Sequence, residues 1–180
     1  MEGDEIIIDP WSSAQSTDYD RIIQQFGLDS MVGVSLNNPT KLHRRGIVFA
    51  HRDLDVVQEA QRTGDGFGVL TGLMPSGQMH MGHSMVVEQV KWFQQQGADV
   101  SIAVADLESQ ATRGVGLSKG RETAISEYIA HYAALGLDPD RTQVYFQSTR
   151  HAVQRLGFHL GKRTNLSEFE SIYGFNGETN

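Results

Sequence analysis

The rhythm of this chain predicts an α/β fold on a doubly wound parallel sheet, and three observations carry that expectation. The runs "FGVLTG", "DVSIAVAD" and "TQVYFQS" have strand length and composition. Each is followed by a helix-length stretch with apolar residues three and four apart. Gly97 and Gly136 stand where the first two of those helices must stop. Strands alternating with helices make βαβ units, and such units pair their strands in parallel. "DVSIAVAD" has no polar alternation, the pattern of a strand covered on both faces.

Taken in order, Ile6–Ile8 reads as a strand or extended arm that leads into a polar loop. Thr17 can cap a helix over Asp18–Phe26, with Ile22, Ile23 and Phe26 on one stripe and Gly27 ending it. "DSMVGVSLNNPT" is irregular, Ile47–Ala50 is a short strand, and Arg52–Arg62 is a helix with Leu54, Val57 and Gln61 at helical spacing. The rhythm changes at Phe67. The first buried-type strand is followed by a helix over Met81–Gln96, and the second by a helix over Ser118–Leu135. Ile125, Tyr128, Ile129, Tyr132 and Leu135 mark the inner face of that second helix. The third strand leads to a helix over Arg150–Leu160. Asn165 with Glu168, or Ser167 with Glu170, has capping-box spacing and opens another helix. A compact α/β domain normally adds strands beyond a third, so the expectation is a truncated domain or a flexible tail. The chain divides into an N-terminal extension, residues 1–64, and the α/β region, residues 65–180.

Composition bounds the function. At 180 residues there is room for one domain with a real core. A formal charge of −7 argues against polyanion binding by the whole surface, though not by a local site. With no cysteine, a disulfide framework and a thiolate metal site are excluded. "MEGDEIIIDPW" has no signal-peptide pattern, and no apolar run approaches a membrane span. The expectation is a cytoplasmic chain without a membrane partner.

The stretch "LTGLMPSGQMHMGHSMVVEQ" carries the chemistry. In an open α/β sheet, ligands bind outside the carboxyl ends of strands, where loops lead into helices. Pro75, Ser76 and Gly77 make the turn, and Gln78–Gly82 lead into the helix, so His80 and His83 share one face at its start. A helix N-terminus offers free N–H groups and partial positive charge to a phosphate. Gly82 has no Cβ, so a flat ring can approach the backbone there. A nucleotide site, a pair of histidines that only cap a helix, and a metal site remain open on these residues. A zinc site lacks partners, since Glu88 lies elsewhere on the helix and there is no HExxH spacing. Two decoys fall away. The glycines of "GDGFGVLTG" precede the strand instead of following it, and "HRDLDVVQ" has Gln58 where a kinase-like loop needs asparagine.

"PSGQMHMGH" resembles the HIGH motif of class I aminoacyl-tRNA synthetases, and "HMGH" also resembles the HxGH motif of nucleotidyltransferases. The Pro-Ser-Gly prefix with "ADLE" downstream is similar to the tyrosyl and tryptophanyl members. "DPWSSAQSTDYDRIIQQFG" and "HRRGIVFAHRD" resemble the N-terminal extension of archaeal and eukaryotic tryptophanyl-tRNA synthetases. The resemblance runs from about Asp9 to the end. It implies the Rossmann-like parallel sheet of the class I enzymes, here the first half of the catalytic domain behind an extension.

The resemblance further implies ATP-dependent activation of tryptophan and transfer to tRNA(Trp), by a cytoplasmic homodimer when full length. His80 and His83 are the catalytic donors. Pro75, Ser76, Gly77, Gly82 and Gly72 face ATP, whose magnesium comes with the triphosphate and needs no protein cage. Leu70, Glu108 and Asp106 face tryptophan, with Glu108 or Asp106 meeting the ammonium. Capping the following loop is the alternative for either acid. Leu70 and Ala103 stand where the family pattern has tyrosine and glutamine, which removes the usual indole partners. Pro10 and Trp11 match an arm over the adenine side, or a core tryptophan. The basic run of Lys41, His43, Arg44 and Arg45 contacts tRNA phosphate or forms salt bridges. No KMSKS-type lysine loop occurs in the sequence. The other readings are a tyrosyl-tRNA synthetase, a small HxGH adenylyltransferase and a non-catalytic half-protein.

Overall fold

The computed structural model describes residues 19–167. The arm at Ile6–Ile8, Pro10, Trp11, the Thr17 cap and the capping-box partners Glu168 and Glu170 lie outside the described residues.

The extension opens with α1 (Tyr19–Gln25), in which Ile22 is buried, and Gly27 follows it at φ 57°. Next come β1 (Asp29–Ser30), α2 (Lys41–Arg44), β2 (Ala50–His51) and α3 (Leu54–Thr63). β1 and β2 pair antiparallel, Asp29 opposite His51 and Ser30 opposite Ala50. The short strand thus begins at Ala50, three residues later than the apolar run suggested. Ile47 is exposed, and Phe49 lends its carbonyl to Met31 instead of sitting in a longer ladder. The basic run folds as a capped turn of helix. The Thr40 hydroxyl accepts from the Leu42 N–H, and His43 Nδ1 accepts from the Thr40 N–H.

The main sheet consists of β3 (Gly68–Leu73), β4 (Asp99–Val104) and β5 (Thr142–Phe146), parallel and in that order. α4 (Met81–Gln95) joins the first two strands. Between the second and third run α5 (Asp106–Arg113), α6 (Leu117–Thr123), a π-helical stretch Ala124–Ile129, and α7 (Ala130–Ala134). α8 (His151–Gly161) follows β5.

One core holds these pieces together. Leu73, Val100, Ile102 and Val104 meet Val87 and Val90 of α4 and Ala124, Tyr128 and Tyr132 of the long helix. Residues 100, 102 and 104 share one side of β4, so α4 and the long helix lie on the same face of the sheet. Among the described residues the two crossovers therefore cover one face of the sheet, as one half of a doubly wound arrangement does. When neighbouring strands follow chain order, two right-handed crossovers must return on one side. β4 accordingly alternates: Val100, Ile102 and Val104 are at most 2% exposed, whereas Ser101 and Ala103 on the other face are half-buried.

Two further differences have local causes. α5 arises where a strand end and loop were expected. "DLESQATR" is rich in helix formers, and Gly114 stops it in the left-handed conformation at φ 66°. In the long helix the buried stripe is Ala124, Tyr128 and Tyr132, while Ile125 and Leu135 are exposed. The π turn over Ala124–Ile129 shifts the phase of the helix, so the buried stripe runs through Ala124 and Tyr128 instead of Ile125.

The extension is latched to α4 by Trp92, which is 3% exposed. Its indole N–H donates to the carbonyls of Asn37 at 3.1 Å and Asn38 at 2.9 Å. Asn38 adopts the left-handed conformation at φ 48°, which asparagine tolerates. Lys41 and Glu88, 3.7 Å apart, add a partly exposed ion pair across the same seam.

Candidate functional site

The site forms where β3 and β4 end. Pro75 is fully buried against the helical layer, close to Gly120, so it anchors the loop beneath any ligand. Ser76 and Gly77 are exposed, and the Gly77 N–H hydrogen-bonds the Tyr128 hydroxyl. Burial pushes the Tyr128 pKa up, with the Gly77 bond opposing and the Glu127 charge adding to the rise.

The two histidines cap α4 reciprocally. His80 is the N-cap, and its Nδ1 accepts from the Gly82 N–H at 3.2 Å. His83 stands at the third helical position, and its Nδ1 accepts from the His80 N–H, also at 3.2 Å. The rings lie 3.9 Å apart, and His83 rests edge-on against Tyr128 at 5.2 Å. An imidazole that accepts at Nδ1 carries its proton on Nε2 when neutral. Capping therefore selects the tautomer and leaves two Nε2–H donors side by side at a helix N-terminus. Burial lowers the His83 pKa first, and the neighbouring His80 lowers it further, so the neutral donor form is favoured. The capping and donor readings of the pair are compatible, since one ring nitrogen serves each.

Gly82 lacks a side chain for a reason other than room for a flat ring. A Cβ there would meet His80 Cε1 at 3.1 Å and Nδ1 at 3.2 Å, so the folded-back imidazole occupies that space. Gly72 lies on the open face of β3, where a Cβ would make only an ordinary contact, 3.7 Å from the Ala103 carbonyl oxygen. Leu70, on the same face, is 71% exposed.

The two candidate acids separate. Asp106 is 2% exposed. Its Oδ1 accepts from the Ser148 N–H at 3.0 Å and the Leu107 N–H at 3.1 Å, and the Ser148 hydroxyl donates to Oδ2. It clamps the ends of β4 and β5 together. Glu108, in the first turn of α5, is exposed and available to a ligand. Among the described residues no three His, Cys, Asp or Glu side chains are grouped as metal ligands. No described helix is long and apolar enough to cross a membrane.

Sequence reasoning missed Tyr128 as a member of the site. It is legible as a core residue from helical spacing, but its place under His83 depends on how the long helix docks.

Residues 62–180 match the family model described as tRNA synthetases class I (W and Y). Tryptophan–tRNA ligase of Methanosarcina acetivorans is 43% identical over 174 residues, covering 96% of this chain and 40% of the relative. That of Thermoplasma acidophilum is 46% identical over 171 residues, covering 94% and 38%. Among solved structures, tryptophanyl-tRNA synthetase from Aeropyrum pernix superposes with a TM-score of 0.77 at 39% identity, over 94% of this chain and 48% of that one. The Encephalitozoon cuniculi enzyme bound to tryptophan gives 0.75 at 27% identity, over 91% and 51%. The chain spans about 40% of the length of the curated relatives it matches. With the capped histidine pair at the end of a parallel sheet and a family match over 62–180, the chain belongs to the class I tRNA synthetases of the tryptophan and tyrosine group.

Proposed function

We propose that the protein carrying this chain is a tryptophan–tRNA ligase, in which these residues bind ATP and tryptophan and form the aminoacyl-adenylate. The observation that carries this reading is the reciprocal cap of His80 and His83, which occupies both Nδ1 atoms and leaves two Nε2–H donors at the same helix end. The tryptophan–tRNA ligase names of the relatives support the choice of amino acid. Leu70 supports it too, since a site for tyrosine needs polar partners for a hydroxyl.

In the reaction, a carboxylate oxygen of the amino acid attacks the α-phosphorus of ATP, and the bond to pyrophosphate breaks. Negative charge grows on the phosphate oxygens, and His80 and His83 donate to them from preorganised positions. Losing one such donor costs about 3–4 kcal/mol of transition-state energy. Ser76 and the first amides of α4 add donors. This donor set suits a polyphosphate, and magnesium would come with the triphosphate and not need a cage of protein ligands. Glu108 receives the α-ammonium, Leu70 walls the side chain, and Asp106 acts through the strand ends it fastens. Transfer to the terminal ribose of tRNA(Trp) then releases AMP.

Residues 1–64 are assigned to an extension, whose described part, from residue 19, docks through Trp92 on the catalytic half, 65–180. The full protein is a cytoplasmic homodimer with tRNA(Trp) as its partner. Tryptophan-dependent ATP–pyrophosphate exchange by the full-length protein tests the reading. His83→Ala is expected to lower the exchange rate by at least about 100-fold. Exchange driven by tyrosine and not by tryptophan overturns it.

A further inference from the structure

The geometry points to Tyr145 as the residue that selects tryptophan, by accepting the indole N–H in a slot on the open face of the sheet. This inference rests on the tryptophan reading above.

The slot follows from the register. Gly72 pairs with Ala103, and Ala103 with Tyr145, so the three lie in one row across the sheet. The next row, Leu73–Val104–Phe146, points into the helical core. The row of Gly72, Ala103 and Tyr145 must therefore face the other way. Neighbouring strands are about 4.8 Å apart. Gly72 and Ala103 thus make a floor two strands wide on which nothing rises above a methyl group. Tyr145 closes one side of it, and Leu70, two residues back along β3, closes the end nearer the strand starts. The row lies one residue short of the strand ends, next to the loops that carry His80, His83 and Glu108. An amino acid whose carboxylate meets ATP at the histidines can lay its side chain on this floor.

Chemistry singles out Tyr145. An indole N–H is a donor only and, once buried, needs an acceptor. Leu70, Gly72 and Ala103 have no side-chain acceptor. The Arg150 guanidinium stands over the Tyr145 ring, 4.8 Å from its centroid, a contact that uses a face of the ring and not its hydroxyl. Among the described residues the Tyr145 hydroxyl has no hydrogen-bond partner. A phenol oxygen can accept from the indole while its own proton turns elsewhere. The other polar groups of this face are further from the strand ends: Ser101 and Gln143 lie in the row of Leu70, about 7 Å back, and Asp99, paired with Arg141, lies one row of this face beyond them.

The test is amino-acid discrimination by the full-length protein in ATP–pyrophosphate exchange. Tryptophan is compared with 3-benzothienylalanine, in which sulfur replaces the indole N–H. The unaltered protein is expected to prefer tryptophan. Tyr145→Phe should narrow that preference about 5- to 10-fold by raising the KM for tryptophan, with the KM for ATP and for the sulfur analogue unchanged. Ala103→Leu, which fills the floor, should raise KM for both amino acids at an unchanged KM for ATP. An unchanged preference in Tyr145→Phe, or a preference that instead collapses in Ser101→Ala, overturns the assignment of Tyr145 alone. Absence of exchange with tryptophan in the unaltered protein overturns the tryptophan reading and this inference with it.

Discussion

Replacing Gly82 by alanine separates the stability of the site from its chemistry. The new methyl would meet His80 Cε1 at 3.1 Å and Nδ1 at 3.2 Å, whereas carbon atoms settle at about 3.5–4.0 Å. The ring must swing out by several tenths of an ångström, and its bond to the residue 82 N–H is lost or stretched. Losing an N-cap costs about 0.5–2 kcal/mol. Alanine in place of glycine returns up to about 1 kcal/mol of helix propensity. The two nearly cancel, so the melting temperature should move by less than about 4 °C. Activity has no such offset. A donor displaced from its phosphate position, and released to take the other tautomer, should lower exchange turnover about 10- to 100-fold. Thermal unfolding and ATP–pyrophosphate exchange on the same full-length preparation read both quantities. Full activity in Gly82→Ala would show that the folded-back His80 is not the working conformation, and the tautomer argument would fall.

Other outcomes follow from the same contacts. Burial holds His43 and His83 below the ordinary histidine value of 6.5, opposed at His43 by Glu88 and reinforced at His83 by His80. The unfolded chain then binds protons more readily, so their contribution is complete above about pH 6.5 and is lost as pH falls through the folded values. Melting temperature should drop between pH 7 and pH 5, and a His43→Gln, His83→Gln double variant should show a shallower drop; equal slopes refute this. Trp92→Phe removes both bonds to the Asn37 and Asn38 carbonyls and should cost about 1–3 kcal/mol in urea unfolding, with faster proteolysis around residues 33–40. A cost below 0.5 kcal/mol, on the order of measurement error, would mean that the latch is held elsewhere. Asp106→Asn should destabilise by about 2–3 kcal/mol, while Glu108→Gln should leave stability alone and raise the KM for tryptophan. Reversed behaviour of the two acids would exchange their roles.

The legible parts of the fold were those governed by local rules. β3, β4 and β5 and the helices after them follow from apolar runs, helical spacing and the glycines at 97 and 136, and they lie within a few residues of their expected ends. The histidine pair was equally plain, because its capping spacing and its place after a strand are both local. What stayed hidden depends on tertiary docking. Which face of β4 meets the helices is set by strand order, which no single strand encodes. Nor does helical spacing separate Ile125, exposed, from Ala124, fully buried, when the helix takes a π turn between them. Asp106 and Glu108 are two residues apart in one acidic stretch. Only the arrival of Ser148, in the turn just after β5, makes one a strand clamp and leaves the other exposed.

The π turn at Ala124–Ile129 also ties the helix's phasing to the chemistry above it. Each residue added to or removed from a helix rotates everything beyond it by about 100°. Deleting two residues between Ala124 and Tyr128 would turn Tyr128 and Tyr132 about 200° around the helix from where Ala124 faces. The imidazole of His83 would lose the ring it leans on, and the turn at Gly77 its phenol. A change of length on that scale in this segment therefore reaches the Pro75–Gly77 turn as surely as a change in the turn itself.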